Sequence, residues 1–236
     1  MKPVLILFPG LMCDAAVWAL QLPLLSATHD YIVMDYGLRS SLGDMARQVL
    51  EMTPAGTFAL AGHSMGGRVA LEVVRLAPQR VSHLALLDTG IYPLAVGEPG
   101  TKEQAGRLGL VALAKEQGMR VMGRQWLVNM VHPDVHNTAL FESILDMLER
   151  SSPAQFAAQT HALLARPDAT VVLPSISGPT LVLTGEQDLW SPPAQHAAIT
   201  RAIRGAELEV ISHSGHMTTL EQPEAVTNAM VRWLQR

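Results

Sequence analysis

Three residue types that can together activate a hydroxyl group stand far apart in this 236-residue chain. Ser64 lies in Gly62-His63-Ser64-Met65-Gly66, Asp188 follows a later apolar run, and His216 follows the last one. A serine hydroxyl is a poor nucleophile unless a base removes its proton and an acid orients that base. The three residues therefore indicate nucleophilic attack on a carbonyl group.

The segments around these residues predict strands alternating with helices. Each of six short apolar runs ends in a small or acidic residue, as a buried parallel strand does. The six predicted strands are 4–8, 31–34, 57–61, 84–87, 180–184 and 208–211. Helical spacing follows the serine turn, at Val69, Val73 and Val74. This alternation predicts an α/β domain with a mainly parallel sheet, and it places Ser64, Asp188 and His216 at carboxyl ends of strands.

Residues 91–174 interrupt the alternation. The stretch is too long for a structureless loop in a compact domain, and its pattern favours helices. Thr101 to Gln104 resembles a capping box, and Gly118 is placed to end that first helix. Further helices are predicted over about 119–131, over about 135–150 and from Ser152-Pro153 onward. We therefore expect a core of residues 1–90 and 175–236 and a helical cap of residues 91–174.

The motifs resemble those of the α/β-hydrolase family over nearly the whole chain. The matching stretches are "LFPGLMCDAAVW", "GHSMGG", "PTLVLTGEQDLWSPPAQH" and "SGHMTTLEQPEAV". The resemblance implies an α/β-hydrolase fold with a short, mainly parallel six-stranded sheet, flanking helices and a helical cap. It also implies that the N-terminal hairpin usual in the family is missing.

The resemblance assigns roles to individual residues. Ser64 would be the nucleophile, His216 the base and Asp188 the acid that orients it, with His216 preferred over His213 because it follows a glycine. The backbone N–H groups of Leu11 and Met65 would form the oxyanion hole. Family members usually carry a histidine at the position of Pro9, so this chain lacks a side chain that commonly braces the oxyanion loop.

The function expected from these roles is hydrolysis of a small carboxylic ester without a cofactor or a metal. Because the cap sequence around Arg107, Gly118-Met119 and Trp126-Leu127 is similar to that of enol-lactone hydrolases, a lactone substrate is the nearest alternative. Carbon–carbon bond hydrolysis and a non-catalytic ligand receptor are further possibilities. Met122, Trp126 and Leu189 are expected to line an apolar substrate pocket.

Other polar residues have competing interpretations. Asp88 also ends a strand, and some relatives take the acid from that position, but the Gly-x-x-Asp-x-x-x-Pro setting favours Asp188. Cys13 is expected to pack and Asp14 to cap a helix. The spacing of His132 and His136 is compatible with a metal site, yet no further ligands support one, and a solvated helix cap is favoured.

Composition and charge exclude several other classes of protein. A net charge of −4 and a pI near 6.1 give no electrostatic footprint for nucleic acid. No run approaches the roughly 18 apolar residues of a membrane helix. The single cysteine cannot form an internal disulfide, which favours a reducing, cytoplasmic location. The sequence leaves the oligomeric state and the natural substrate open.

Overall fold

Six parallel strands form one sheet in a computed structural model that describes residues 2–236. The strands are β1 (Val4–Phe8), β2 (Asp30–Val33), β3 (Phe58–His63), β4 (Val81–Leu87), β5 (Thr180–Gly185) and β6 (Glu207–Ile211). Every pairing is parallel. The predicted six-stranded α/β fold is therefore confirmed, and the sheet is wholly rather than mainly parallel.

The order of the strands creates a point at which ligands can bind. The sheet runs β2-β1-β3-β4-β5-β6, so the chain turns one way after β1 and the other way after β3. In open parallel sheets, the crevice at such a reversal lies outside the carboxyl ends of the strands. Phe8 pairs with Gly62 at this point, which brings the loop after β1 beside the turn that carries Ser64.

Burial explains why the strand predictions succeed. The side chains of β3 and β5 are buried along their whole length, so both strands are continuous apolar runs. At one edge, β6 alternates charged and apolar residues and exposes most of them. Strand β4 begins at Val81, three residues before the predicted strand 84–87. Its first three residues are only partly buried, so their sequence carries a weaker apolar signal.

Ten helices surround and extend the sheet in the described part of the chain. They are α1 (Leu22–Thr28), α2 (Leu42–Met52), α3 (Met65–Leu76), α4 (Glu98–Gln117), α5 (Met119–Leu127), α6 (Ala139–Glu149), α7 (Pro153–Leu164), α8 (Pro193–Ala202), α9 (Thr218–Glu221) and α10 (Pro223–Leu234). Helix α3 packs against β1, β3 and β4, and also against α2, while α10 packs against α1 and β5. Helices α4 to α7, which lie between β4 and β5, pack mainly against one another.

The helices between β4 and β5 differ from the sequence prediction at several ends. Thr101 does not cap α4, which begins three residues earlier after Gly97 at φ 80°. Pro99 has no N–H to satisfy and suits the first turn, while the Thr101 hydroxyl donates to the Gly97 carbonyl. Helix α5 ends at Leu127 rather than near 131, and α6 begins at Ala139 rather than near 135.

The predicted start of α7 agrees with the structure. The Gln155 amide donates to Ser152 Oγ at 3.1 Å, and the Ser152 amide donates to Gln155 Oε1 at 3.1 Å. Pro153 occupies the first helical position, where its missing N–H costs nothing. This reciprocal pair satisfies two amides that the helix cannot satisfy internally.

None of the helices in residues 2–236 has the length and apolar character needed to cross a membrane.

The N-cap of α7, Ser152, gives a stability prediction. Ser152→Ala removes the acceptor for the Gln155 amide and should lower the free energy of unfolding by about 1 kcal/mol. Urea denaturation followed by circular dichroism measures the change. Ser151→Ala, next to the cap and outside the reciprocal pair, is the matched control and should change stability by less than half as much. Equal losses in both variants would contradict the role of the cap.

Candidate active site

Ser64 occupies a strained turn between β3 and α3. Its backbone lies at φ 54° and ψ −117°, a conformation that non-glycine residues rarely adopt. The Ser64 amide donates to the Leu87 carbonyl at 2.8 Å, and Thr89 Oγ1 donates to the Ser64 carbonyl at 2.6 Å. A Cβ atom on Gly66 would lie 2.2 Å from the Phe8 carbonyl oxygen, so glycine is required there. The surrounding structure therefore holds the strained residue in place.

A chain of hydrogen bonds links Ser64, His216 and Asp188. Ser64 Oγ lies 2.8 Å from His216 Nε2, and His216 Nδ1 lies 2.8 Å from Asp188 Oδ2. His216 and Asp188 are almost fully buried, with 1% and 2% of their surface exposed. When Nδ1 carries the proton and donates to Asp188, Nε2 is left to accept the proton of the serine hydroxyl. The arrangement can thus activate the hydroxyl as a nucleophile.

Asp188 is kept ionised by its hydrogen bonds. Its Oδ1 accepts from the amides of Trp190 and Ser191, both at 2.8 Å. Burial alone would raise the pKa of Asp188, but His216 and these two amides hold that pKa below its ordinary value. A charged carboxylate at this position orients the imidazole and stabilises its protonated form.

The backbone of His216 is fixed from two sides. His63 Nε2 donates to the His216 carbonyl at 2.8 Å, and the His216 amide donates to the Met130 carbonyl at 2.7 Å. Burial and the neighbouring His216 lower the pKa of His63 to about 4, so His63 is a neutral donor. His63 directly precedes Ser64 in the chain. It thus positions His216, which in turn contacts Ser64.

Glu221 organises the same loop through main-chain bonds. Its carboxylate accepts from the amides of His132 at 2.6 Å, Gly215 at 3.0 Å and Met217 at 3.0 Å. Burial raises the pKa of Glu221 above its ordinary value, against the hydrogen bonds that lower it. A glutamate five residues after His216 carries no sequence signal of this role beyond its place in the family-like stretch "LEQPE".

Gly215 has a different purpose from the one expected for a turn. The residue with a positive φ in this loop is His213, at 53°, and Gly215 does not have a positive φ. A Cβ atom on Gly215 would lie 2.7 Å from the Val131 carbonyl carbon and 2.9 Å from the His132 nitrogen. The glycine therefore permits close approach of the segment after α5. His213 itself is exposed, and the centroid of its ring lies 5.8 Å from that of the His132 ring.

The loop after β1, in which Leu11 is predicted to donate to an oxyanion, lies against the serine turn. A Cβ atom on Gly10 would approach His63 Nδ1 to 2.8 Å and Ser64 Cβ to 3.3 Å. The Met65 amide is the first of α3 and has no acceptor within the helix. Leu11 follows Gly10 and lines the large cavity described below.

A brace for this loop comes from α7 instead of from position 9. Buried Gln159 accepts from the Met12 amide through Oε1 at 2.9 Å, and Met12 has a positive φ of 62°. Tyr36 Oη donates to the Pro9 carbonyl at 3.3 Å. Gln159 lies 147 residues from Met12 in the chain, so sequence spacing alone does not reveal the contact.

Asp88 lies close to the site but does not contact His216. Its Oδ1 accepts from the Gly185 amide at 3.2 Å, Thr218 Oγ1 lies 2.5 Å from Oδ2, and His63 Nε2 is 3.6 Å away. Complete burial, together with the charge of Asp188, raises the pKa of Asp88 well above its ordinary value. Asp88 is therefore a neutral structural group, and Asp188 is the carboxylate paired with the histidine.

Two cavities flank the site. The larger, of about 580 Å³, is lined by apolar groups that include Leu11, Trp126 and Phe156. The smaller, of about 200 Å³, is lined by Ser64 and by several charged side chains. Among the predicted pocket residues only Trp126 lines either cavity; Met122 is fully buried among the helices, and Leu189 is 79% exposed.

The remaining sequence candidates have structural partners. Asp14 caps a short 3₁₀ helix, Ala15–Trp18, by accepting from the Ala16 amide at 2.8 Å. Burial raises the pKa of the Cys13 thiol to about 12, so it is not a reactive thiolate. His132 and His136 do not converge, because His136 Nε2 contacts the Val128 carbonyl; instead His132 and Asp134 lie near His213.

The fold and the site together place this chain in a known class. The family model described as "Alpha/beta hydrolase family" matches residues 5–229, and the chain belongs to that family of enzymes. A protein of Stutzerimonas stutzeri (strain A1501), whose name proposes a carbamate hydrolase, is 26% identical over 94% of this chain and 88% of its own length.

Solved structures support the same class. A thermophilic esterase from Thermogutta terrifontis, with malate bound, superimposes with a TM-score of 0.88 at 26% identity, covering 100% of this chain and 90% of that one. The enol-lactonase from Burkholderia xenovorans LB400 shares the fold, with a TM-score of 0.86 at 22% identity over 100% of this chain and 92% of that one.

The neutral state of Asp88 can be tested through stability. Between about pH 4 and the raised pKa of Asp88, the folded protein keeps a proton that the unfolded chain has released, so this residue makes stability fall as pH rises. Asp88→Asn keeps the shape and does not titrate. Relative to wild type, this variant should gain free energy of unfolding as the pH rises above about 4, by up to about 1.4 kcal/mol per pH unit.

Urea denaturation at several pH values measures this gain. Asp188→Asn is the matched control: that carboxylate has a lowered pKa, so the variant should lose stability relative to wild type as pH rises through the acidic range. If instead the free energy of unfolding of Asp88→Asn falls relative to that of wild type as the pH rises, Asp88 is ionised in the folded protein.

Proposed function

We propose that this protein hydrolyses small carboxylic esters through a Ser64–His216–Asp188 triad and an acyl-enzyme. The observation that carries the proposal is the pair of 2.8 Å contacts that join the three side chains at the edge of the sheet. Membership of the family and the 26% identity to a solved esterase support an ester as the substrate.

The proposed reaction proceeds in steps that follow from the contacts between the three side chains. His216 Nε2 takes the proton as Ser64 Oγ attacks the ester carbonyl, and the Asp188 carboxylate stabilises the resulting imidazolium. The backbone N–H groups of Leu11 and Met65 donate to the developing oxyanion, where one such donor typically contributes about 10²–10³ in rate. His216 then protonates the leaving alcohol. Water, activated by the same nitrogen, releases the acid and restores the serine.

We propose that helices α4 to α7, within residues 91–174, act as a cap that selects the substrate. The larger cavity is mostly apolar, with Trp126 and Phe156 from this segment among its lining residues. Such a lining suits a hydrophobic part of the substrate. A lactone is cleaved by the same steps, with the leaving alcohol still attached to the acyl group. A screen of esters and lactones of graded length, with Ser64→Ala as the blank, tests the reaction class and compares the two substrates.

The nucleophile can be identified by covalent labelling. A fluorophosphonate probe should add one label per chain, on Ser64, because the strained turn exposes its hydroxyl to a base. Peptide mass spectrometry locates the label, and Ser64→Ala is the unlabelled control. Labelling of another serine, or no labelling of protein that turns over an ester, contradicts the assignment.

The base can be identified by comparing two histidines of one loop. His216→Ala should lower kcat by about 10³-fold or more, since loss of a triad member removes most of the chemical acceleration. His213→Ala is the matched control and should cost about tenfold or less, because the His213 side chain is exposed and its ring packs against that of His132. Steady-state turnover of a p-nitrophenyl ester, with folding checked by circular dichroism, measures both. The reverse ranking would assign the base to His213.

A further inference from the structure

The smaller cavity beside Ser64 is unusually rich in cationic side chains. Its lining includes Arg68 from α3, Arg107 from α4 and Arg166 from the segment after α7. Arg107 and Arg166 expose only 11% and 8% of their side chains. Burying three guanidinium groups next to one another is costly unless anions compensate their charges.

One carboxylate compensates two of the three arginines. Glu103 Oε1 accepts from Arg107 Nε at 2.9 Å, and both Glu103 oxygens accept from the two terminal nitrogens of Arg166, at 2.9 Å and 2.8 Å. Burial tends to raise the pKa of Glu103, but these arginines lower it below its ordinary value, so Glu103 is charged. The three arginines and Glu103 together leave an excess of positive charge.

Arg68 is the guanidinium without a carboxylate partner. Within residues 2–236 no acidic side chain forms a salt bridge with it, and its Nη1 donates to the Tyr92 carbonyl at 3.0 Å. Burial, with repulsion from Arg166 and Arg107, lowers the pKa of Arg68 to about 9, so it still carries its charge at neutral pH.

The structure makes room for this group. A Cβ atom on Gly90 would lie 2.6 Å from Arg68 Nη2, so the absence of a side chain there admits the guanidinium. The other acid of the cavity, Asp88, is neutral for the reasons given above and does not offset the charge. Ser64 immediately precedes α3 and Arg68 lies in its first turns, and both residues line this cavity.

We propose that Arg68 binds a carboxylate group of the substrate, so that the ester cleaved at Ser64 belongs to an acidic molecule. This inference rests on the proposed ester hydrolysis. Arginine pairs with a carboxylate through two parallel N–H donors, as Arg166 does with Glu103 in the same cavity. A cavity of about 200 Å³ holds a carboxylate with a short carbon chain, since one water occupies roughly 30 Å³.

The N-terminus of α3 adds to the attraction. Its partial positive charge lies next to Ser64 and favours negative charge in the first turn. The ester carbonyl and the carboxylate of one substrate molecule would therefore both lie near the start of this helix. Binding the carboxylate to Arg68 holds the carbonyl near Ser64 Oγ, which lowers the entropic cost of the attack.

The test compares acidic esters with their neutral counterparts. Monomethyl glutarate carries the carboxylate on the acyl side, and 3-acetoxypropanoate carries it on the alcohol side. Their neutral partners are dimethyl glutarate, corrected for its two equivalent esters, and methyl 3-acetoxypropanoate. Release of methanol or of acetate gives kcat/KM for each. Wild type should prefer at least one acid over its neutral partner, and Arg68→Gln should reduce that preference by about 10- to 100-fold.

Matched variants separate binding of the carboxylate from a general effect of charge. Arg201→Gln removes one charge from an exposed position on α8 and should leave the preference as in wild type. Arg68→Lys keeps the charge without the planar fork and should retain part of the preference. Circular dichroism and thermal melting verify that each variant is folded.

The outcomes distinguish this inference from the proposed function. If no ester is cleaved in a Ser64-dependent reaction, the proposed function fails. If neutral esters are cleaved and neither acid is preferred, or if the preference survives Arg68→Gln, only the carboxylate site is refuted. Inhibition of wild type by inorganic phosphate but not by glutarate would assign the cavity to a different anion and would also overturn the proposal.

Discussion

The hydrogen bond from His63 to the carbonyl of His216 is the contact on which the geometry of the site depends. It joins two segments that are 153 residues apart, and it places the residue before Ser64 in contact with the histidine that faces Ser64. Because His63 is buried and neutral, the bond persists without a charge that would compete with Asp188. One buried side chain on the serine turn thus ties the backbone of His216 directly to the segment that carries Ser64.

The segment between β4 and β5 contributes to the site as well as covering it. Its Met130 carbonyl accepts from the His216 amide, and its Gln159 accepts from the Met12 amide of the loop after β1. Arg107 of the same segment lies 5.3 Å from the Trp190 ring, beside the turn that holds Asp188. Helices α4 to α7 and the residues that connect them therefore contact three loops: the loop after β1, the loop that holds Asp188 and the loop that holds His216. A large displacement of these helices would break bonds that fix the catalytic geometry.

The sequence predicts the sheet well because the physical signal is local. Buried parallel strands are continuous apolar runs, and the turn around Ser64 needs glycine wherever backbone approaches backbone, as at Gly66. Helix ends in the 91–174 stretch are predicted less well. The start of α4 depends on Gly97 and Pro99 rather than on the nearby Thr101 pattern, and several caps are equally plausible in a polar stretch.

Residues that support the site are harder to predict for a different reason. Glu221, Gln159 and Arg68 matter because of what folding brings next to them, and their own sequence neighbourhoods carry no such information. A glycine before His216 is typical of a turn that needs backbone freedom, yet the structure needs Gly215 for close contact with residues 130–132. A glycine indicates that space or backbone freedom is required, and only the structure shows which of the two applies.

Charge is distributed unevenly around Ser64. Two buried aspartates at the ends of neighbouring strands have opposite pKa shifts: Asp188 is ionised beside His216, while Asp88 is neutral. Negative charge is thereby concentrated behind the imidazole. In the proposed reaction it would stabilise the protonated form of His216 without facing the oxyanion in front of Ser64. On the other side of Ser64 lie the first turn of α3 and Arg68, which favour negative charge. An anionic group of a substrate would meet attraction on the α3 side and repulsion near Asp188. In the proposed reaction, the arrangement that assists proton transfer would therefore also orient an acidic substrate with its charge away from the histidine.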